Sequence, residues 1–176
     1  MKTYLDETDF DYSNETYNYQ HELTLKLDNS DKQKASQELI NEIVLWKTNR
    51  YVQMEQSTLD LLNSTSINSK VLDEDFSRKL LSELLGTKGI RLAMASTILR
   101  FRNPNIYQII DQRAYRFAGL GELKLPTNHE EQIILYFDYL KTLRDIANKN
   151  GFDFHNADRI LYQQDKLNNK DEKINW

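Results

Sequence analysis

Five glycines and two prolines are the only strong helix breakers in this chain of 176 residues, and they fall between apolar stripes spaced three and four apart. Leu39, Ile43 and Trp46, widened by Ile40 and Val44, predict a helix over residues 31–50 with Ser30 or Asp31 as its cap. Residues 57–63 predict a short helix with Ser57 and Asp60 as a capping box. Asp73 opens a helix with Phe76, Leu80, Leu81, Leu84 and Leu85 inward, and Gly86 stops it. Leu92, Ala95, Ile98 and Leu99 predict a helix over 91–102, closed by Asn103-Pro104. Ile106, Tyr107, Ile109 and Ile110 then turn inward, and Asp111 caps a brief helix over 112–118. Asn128 with Glu131 opens a long helix ending at Gly151, and Asp153 caps a last one carrying Ala157, Ile160, Leu161 and Leu167. The expected fold is all-α, six to eight helices in one domain over 30–168, followed by a polar tail, 169–176. There is no internal repeat and no strong strand pair.

Residues 1–29 read differently. Within residues 1–22, Lys2 stands alone against Asp6, Glu7, Asp9, Asp11, Glu15 and Glu22, with Tyr4, Phe10, Tyr12, Tyr17 and Tyr19 interleaved. One reading is an extended arm whose rings dock while its carboxylates stay wet. The other is an acidic, aromatic mimic of nucleic acid that covers a basic surface or contacts a protein partner. Residues 21–27, with Leu23, Leu25 and Leu27 alternating, fit either a strand or the entry to the next helix. The chain has no cysteine, which excludes disulfides and thiolate metal sites. No apolar run approaches the roughly 18–20 residues that cross a bilayer, and the acidic start lacks the form of a secretion signal. The expectation is a soluble, cytoplasmic protein. His21, His129 and His155 show no ligand spacing, so no metal and no other cofactor is assigned.

The chain carries a net charge of −4, yet between Gly86 and Gly119 six cations, Lys88, Arg91, Arg100, Arg102, Arg113 and Arg116, face Asp111 alone. Two helices joined through Gly86 and Gly89 put bare backbone N–H groups at a helix start, where partial positive charge and open donors suit an anion. Lys88, Arg91, Arg100 and Arg102 extend that charge. This is chemistry for holding backbone phosphates without reading sequence.

Residues 84–117, LLGTKGIRLAMASTILRFRNPNIYQIIDQRAYRF, resemble the helix-hairpin-helix DNA glycosylase superfamily. In that family a leucine-glycine hairpin grips the phosphate backbone, an apolar helix follows, and an aspartate opens a short helix in a D-x-H/R-x-x-R pattern. The hairpin falls on Leu85 to Leu92, the apolar helix on Ala93 to Phe101, and the aspartate on Asp111 in IIDQRAYR. The C-terminal NADRILYQQDK extends the likeness more loosely. This chain departs at Arg91, where the family hairpin has a second glycine. It has no lysine near Ala93 to form a Schiff base and no cysteine cluster for iron and sulfur, and it is shorter than most members.

What the resemblance implies is a DNA-binding protein and a monofunctional base-excision glycosylase. A nucleotide would be flipped out at a cost of a few kcal/mol, and Asp111 would stabilise an oxocarbenium-like sugar and orient water. Tyr107 and Tyr115, with Trp46 and Tyr51, are the rings available to stack on a base, and Arg113 is a clamp. The alternatives stay open at this point. Asp111 caps its helix whether or not it does chemistry, Arg113 and Arg116 serve equally as ion-pair partners, and Tyr107, Tyr115 and Trp46 serve equally as core. The competing function is a DNA-binding or protein-interaction module that keeps the fold without the reaction.

Overall fold

Short polar side chains set four of the helix starts, those at Ser36, Asp73, Asp111 and Asn128, in the computed structural model, which describes residues 19–31 and 34–172. The described residues form eight α-helices and no strand, as expected from the stripes. They divide into two compact units, 1–51 and 52–176.

In the first unit, α1 is His21–Asp28 and α2 is Gln37–Lys47. The expected division at residue 29 therefore falls inside one unit. The alternating leucines form a helix and not a strand: Leu23 is buried while Leu25, on the other side, is exposed. α2 starts later than predicted because Ser36, extended, accepts from the Leu39 N–H at 3.1 Å. It ends earlier because Asn49 takes the left-handed conformation, φ 54°. Asn49 N–H then bonds to Trp46 O at 3.2 Å and Arg50 N–H to Leu45 O at 3.0 Å, a Schellman ending built on asparagine. Trp46 joins the two helices: its ring N–H donates to Thr24 Oγ1 at 2.8 Å, and Tyr19 meets it edge-on at 5.2 Å. Lys26 and Glu42 form an ion pair between them. The acidic arm of residues 1–18 lies outside the described residues.

The second unit begins with α3, Gln56–Asn63, and α4, Glu74–Gly86. The expected Ser57–Asp60 capping box does not form; Glu55 holds the cap position without a side-chain bond, and Asp60 accepts from Gln56. Asp73 caps α4 as predicted, accepting from Phe76 N–H at 3.0 Å. Next come α5, Leu92–Arg102, and α6, Gln112–Tyr115, which continues into a wide turn over Arg116–Leu120. α7 is His129–Asn150, started by Asn128 and closed by Gly151 at φ 71°. A single 3₁₀ turn, Phe154–Asn156, leads into α8, Ala157–Asn168. Asp153 sits before that turn without capping it, and Leu167 is exposed; Asp165 takes the inward place on α8 instead. The core gathers Leu80, Leu81 and Leu84 of α4, Leu92 and Leu99 of α5, Tyr136, Tyr139 and Leu143 of α7, and Leu161 of α8.

One irregular stretch, residues 106–111, runs through this core, and side chains satisfy several of its backbone polar groups. Tyr136 and Tyr139 donate their hydroxyls to Gln108 O and Ile109 O, both at 2.8 Å. Asp158 accepts from Ile109 N–H at 3.0 Å, and Ser96 Oγ accepts from Ile110 N–H at 3.2 Å. Gln108, fully buried, accepts from Asp158 N–H at 3.0 Å. Burial holds both tyrosines well above the usual phenol range, so they remain donors. Helices α5, α7 and α8 thus fix the path that delivers Asp111.

Candidate functional site

Between α4 and α5 the chain makes a tight turn. Ile90 N–H donates to Thr87 O at 3.1 Å, and Gly89, third of the four residues, has φ +91°. That is the pattern of a type II turn, which needs glycine at its third position. Ile90 is buried and anchors the turn to the core. Gly86 plays no such part: it is the last residue of α4, and the chain leaves the helix through an extended Thr87, φ −75° and ψ 127°. The replaced second glycine is no obstacle. Arg91 is extended, φ −112° and ψ 170°, where any residue is comfortable, and its side chain makes no cap. The first N–H groups of α5 therefore have no capping side chain, and the exposed Lys88 and Arg91 flank them.

The other four cations of the basic stretch are engaged in holding the fold. Arg100 is buried at 6 % exposure, donates to His155 O at 2.9 Å, and lies 3.4 Å from Asp158. Arg102 reaches back to Leu62 O at 3.2 Å and Asn63 O at 2.9 Å. Both are withdrawn from the phosphate-holding role expected of them. Arg113 donates to Asp165 at 3.1 Å, and Arg116 grips the same carboxylate at 2.9 and 2.8 Å. Asp165 is fully buried. The second arginine of the D-x-R-x-x-R pattern and the first thus tie α6 to α8, and Arg113 is an ion-pair partner in place of a clamp.

Hydrogen bonding by Arg116, then by Asn169 and Arg113, holds the Asp165 carboxyl below its ordinary 3.8. A depressed folded value contributes stability that is complete above the unfolded one and is lost as pH falls through the folded one. We therefore expect the stability difference between wild type and Asp165→Asn to be flat from about pH 5 to 8 and to shrink below about pH 4. Urea unfolding across that range measures it, and a difference that grows in acid would contradict the assignment.

Asp111 does cap α6. Its Oδ1 accepts from Arg113 N–H at 2.7 Å and Ala114 N–H at 2.9 Å. The other oxygen has no hydrogen-bond partner among the described residues, and Asp111 lines a cleft of about 330 Å³ together with Ile109, Asp158, Arg159, Tyr162 and Gln163. Burial raises the Asp111 carboxyl above its ordinary range, the two backbone N–H groups oppose that rise, and the Asp158 charge adds to it. The Asp111 cleft is distinct from the groove beside the turn, where Gly86, Thr87 and Lys88 meet Glu55 and Glu83. The two features are nonetheless neighbours: Ile110 is bonded to Ser96, four residues and about 6 Å of helix beyond Leu92.

Of the rings expected to stack on a base, Tyr107 is buried at 1 % exposure and bonded to Ser77 at 2.8 Å, so it is core. Tyr115 is half-buried and stacks on Tyr139 at 5.9 Å, away from Asp111's cleft. Trp46 and Tyr51 belong to the first unit. The ring that does line the cleft, Tyr162, was missed, as were Arg159 and Gln163. Only the spacing of Asp158, Tyr162 and Asp165 along α8, three and four apart, could have placed them on one face. Among the described residues no group of three or more ligating side chains could hold a metal, and no helix is long and apolar enough to cross a membrane. No family model, no curated protein and no solved structure matches the chain.

Proposed function

We propose that this protein binds the DNA backbone through the turn at residues 87–91, as a helix-hairpin-helix protein, and that it removes a damaged or modified base by monofunctional hydrolysis at Asp111. The observation that carries the proposal is the turn. A positive-φ glycine exposes the unprotected start of an eleven-residue helix, and Lys88 and Arg91, which form no ion pair among the described residues, stand beside it. Phosphate meets N–H donors, a helix dipole and charge together there. Asp111 follows the stretch bonded to α5 through Ser96 and lines a cleft with one carboxylate oxygen that has no hydrogen-bond partner among the described residues, the arrangement that water-mediated cleavage of an N-glycosidic bond requires. Tyr162 and Ile109 offer the flipped base its walls.

With only Lys88 and Arg91 available, binding is expected to be modest. The slope of log K against log salt should be about −2, set by two phosphates, and not the five or so that a fully solvated basic stretch would give. Fluorescence anisotropy with an undamaged duplex reads this directly. Lys88→Glu and Arg91→Glu should each reduce the slope by about 1 and weaken binding, while Asp111→Asn leaves both unchanged. Salt-independent binding, or none at low salt, would refute the backbone-binding part.

The separation of the turn's groove from Asp111's cleft favours a second reading, DNA binding without the reaction. Incubation of wild type with duplexes carrying a panel of lesions and modified bases, followed by alkaline strand scission, decides between them. Strand breaks dependent on Asp111 support the enzyme. Binding with no breaks on any duplex supports the second reading.

A further inference from the structure

A groove of about 410 Å³ lies at the opposite end of α4 from the turn, between α4 and α7. That is within the range of small-ligand sites. Its floor is apolar: Leu72, Ile106, Ile134, Phe137 and Leu140. Arg78, at its edge, is already held by Glu130 and lies over the Phe137 ring at 5.5 Å. Glu74, Asp138 and Lys141 also line it, but all three are exposed, so water screens them.

Arg144 is different. It is half-buried, its guanidinium sits 3.9 Å from the Phe154 ring centroid, and one N–H donates to Asn105 O at 3.1 Å. Among the described residues no carboxylate comes within 4 Å of it, and burial alone holds it below the ordinary arginine range. A desolvated cation without a counter-ion is costly, and an arriving anion relieves that cost. Lys141 stands three residues earlier on α7, on the same side of the helix and in the same groove. Planar, forked donors suit a carboxylate.

We propose that this groove binds an amphipathic carboxylate, its apolar chain lying on Ile106, Phe137 and Leu140 and its head group on Arg144 and Lys141. Both halves of the ligand are needed, because the floor alone is shallow and the cations alone are partly screened. The site is independent of the DNA reading: Arg78 is eight residues, about 12 Å of helix, from Gly86.

The test is titration of the full chain with octanoate, followed by amide shifts in heteronuclear NMR. Saturable shifts should concentrate at Ile106, Phe137 and Leu140 and spare Lys88 and Gly89. Acetate, which lacks the chain, and 1-octanol, which lacks the charge, should each bind about tenfold or more weakly. Hexanoate should bind more weakly than octanoate, by up to about fourfold for each methylene removed. Arg144→Gln should abolish the preference for octanoate over octanol. Because Arg144 also supports Phe154, Lys141→Glu, on an exposed residue, serves as the second variant and should weaken octanoate several-fold with an unchanged melting temperature. Equal binding of octanoate and octanol, shifts spread evenly over the surface, or Lys141→Glu binding like wild type would overturn the proposal.

Discussion

Under the proposed activity, Asp111→Asn is expected to lower base release by about 10²–10⁴-fold while leaving the protein as stable at pH 7 as the wild type, or slightly more so. The two halves of this expectation come from different oxygens. Oδ1 caps α6, and an asparagine amide oxygen caps equally well. The second oxygen takes no part in the cap, and in a residue that lines the cleft asparagine replaces it with an uncharged amide that can neither stabilise a cationic sugar nor take a proton from water. The sign of the stability change follows from burial. The Asp111 carboxyl is raised in the folded protein, so the folded state binds its proton more tightly, and holding it ionised at neutral pH costs stability. The asparagine variant avoids that cost. Its advantage should vanish below about pH 4, where both side chains are neutral, and appear as pH rises through the folded value. Strand-scission assays and urea melts on the same samples check both. If the variant is strongly destabilised, the cap has been misjudged; if activity survives, the carboxylate is only a cap.

Asp158→Ala is expected to be the most damaging single change to the fold, costing about 3–5 kcal/mol and lowering the melting temperature by about 10–20 °C. Asp158 is 2 % exposed and has three attachments: Ile109 N–H, the Arg159 N–H, and the Arg100 guanidinium at 3.4 Å. Alanine leaves a buried cation without a counter-charge and an orphaned backbone donor. The Arg100 contact is a loose one, since Nε makes no hydrogen bond, so the pair is held more by mutual neutralisation than by geometry. The double variant Arg100→Met with Asp158→Ala should therefore recover part of the loss, because it removes both charges. A thermal shift below about 3 °C for Asp158→Ala would show that water reaches Arg100 and that the pair matters little. Asp158 also walls the Asp111 cleft, so the change should alter activity beyond its effect on folding.

Three helices of the second unit, α4, α6 and α7, were legible to their first residue because each start is carried by a single side chain. Asp73, Asn128 and Asp111 cap where the sequence puts them, since each competes locally for the N–H groups just ahead of it. Errors arose where two residues could do the same job. Ser36 won over Ser30 and Asp31, and Asn49 ended α2 in a conformation more often left to glycine. The turn was legible through Gly89, but Gly86 was given a part it does not have, because a glycine inside a helix's last turn looks the same in sequence as one beyond it.

The charge of the basic stretch misled most, because charge counting says nothing about partners. Four of its six cations find theirs 39 to 55 residues away, at the C-terminal end of α3, in the 3₁₀ turn before α8 and on α8 itself. No local pattern announces Asp165 or Asp158 as those partners, since an acid on a surface helix and an acid in a core are spelled alike. The cleft was missed for the same reason: Tyr162 reaches Asp111 only because α6 and α8 pack together.

By itself, the sequence determined the all-helical class, the tight turn at Gly89 and the capped carboxylate at Asp111, all features decided within four or five residues by backbone sterics and local hydrogen bonds. Tertiary structure alone decided which charges remain free. Burial makes an unpaired ion too costly, so Arg100, Arg113 and Arg116 were drawn to Asp158 and Asp165, and Lys88 and Arg91 were left facing outward beside the turn.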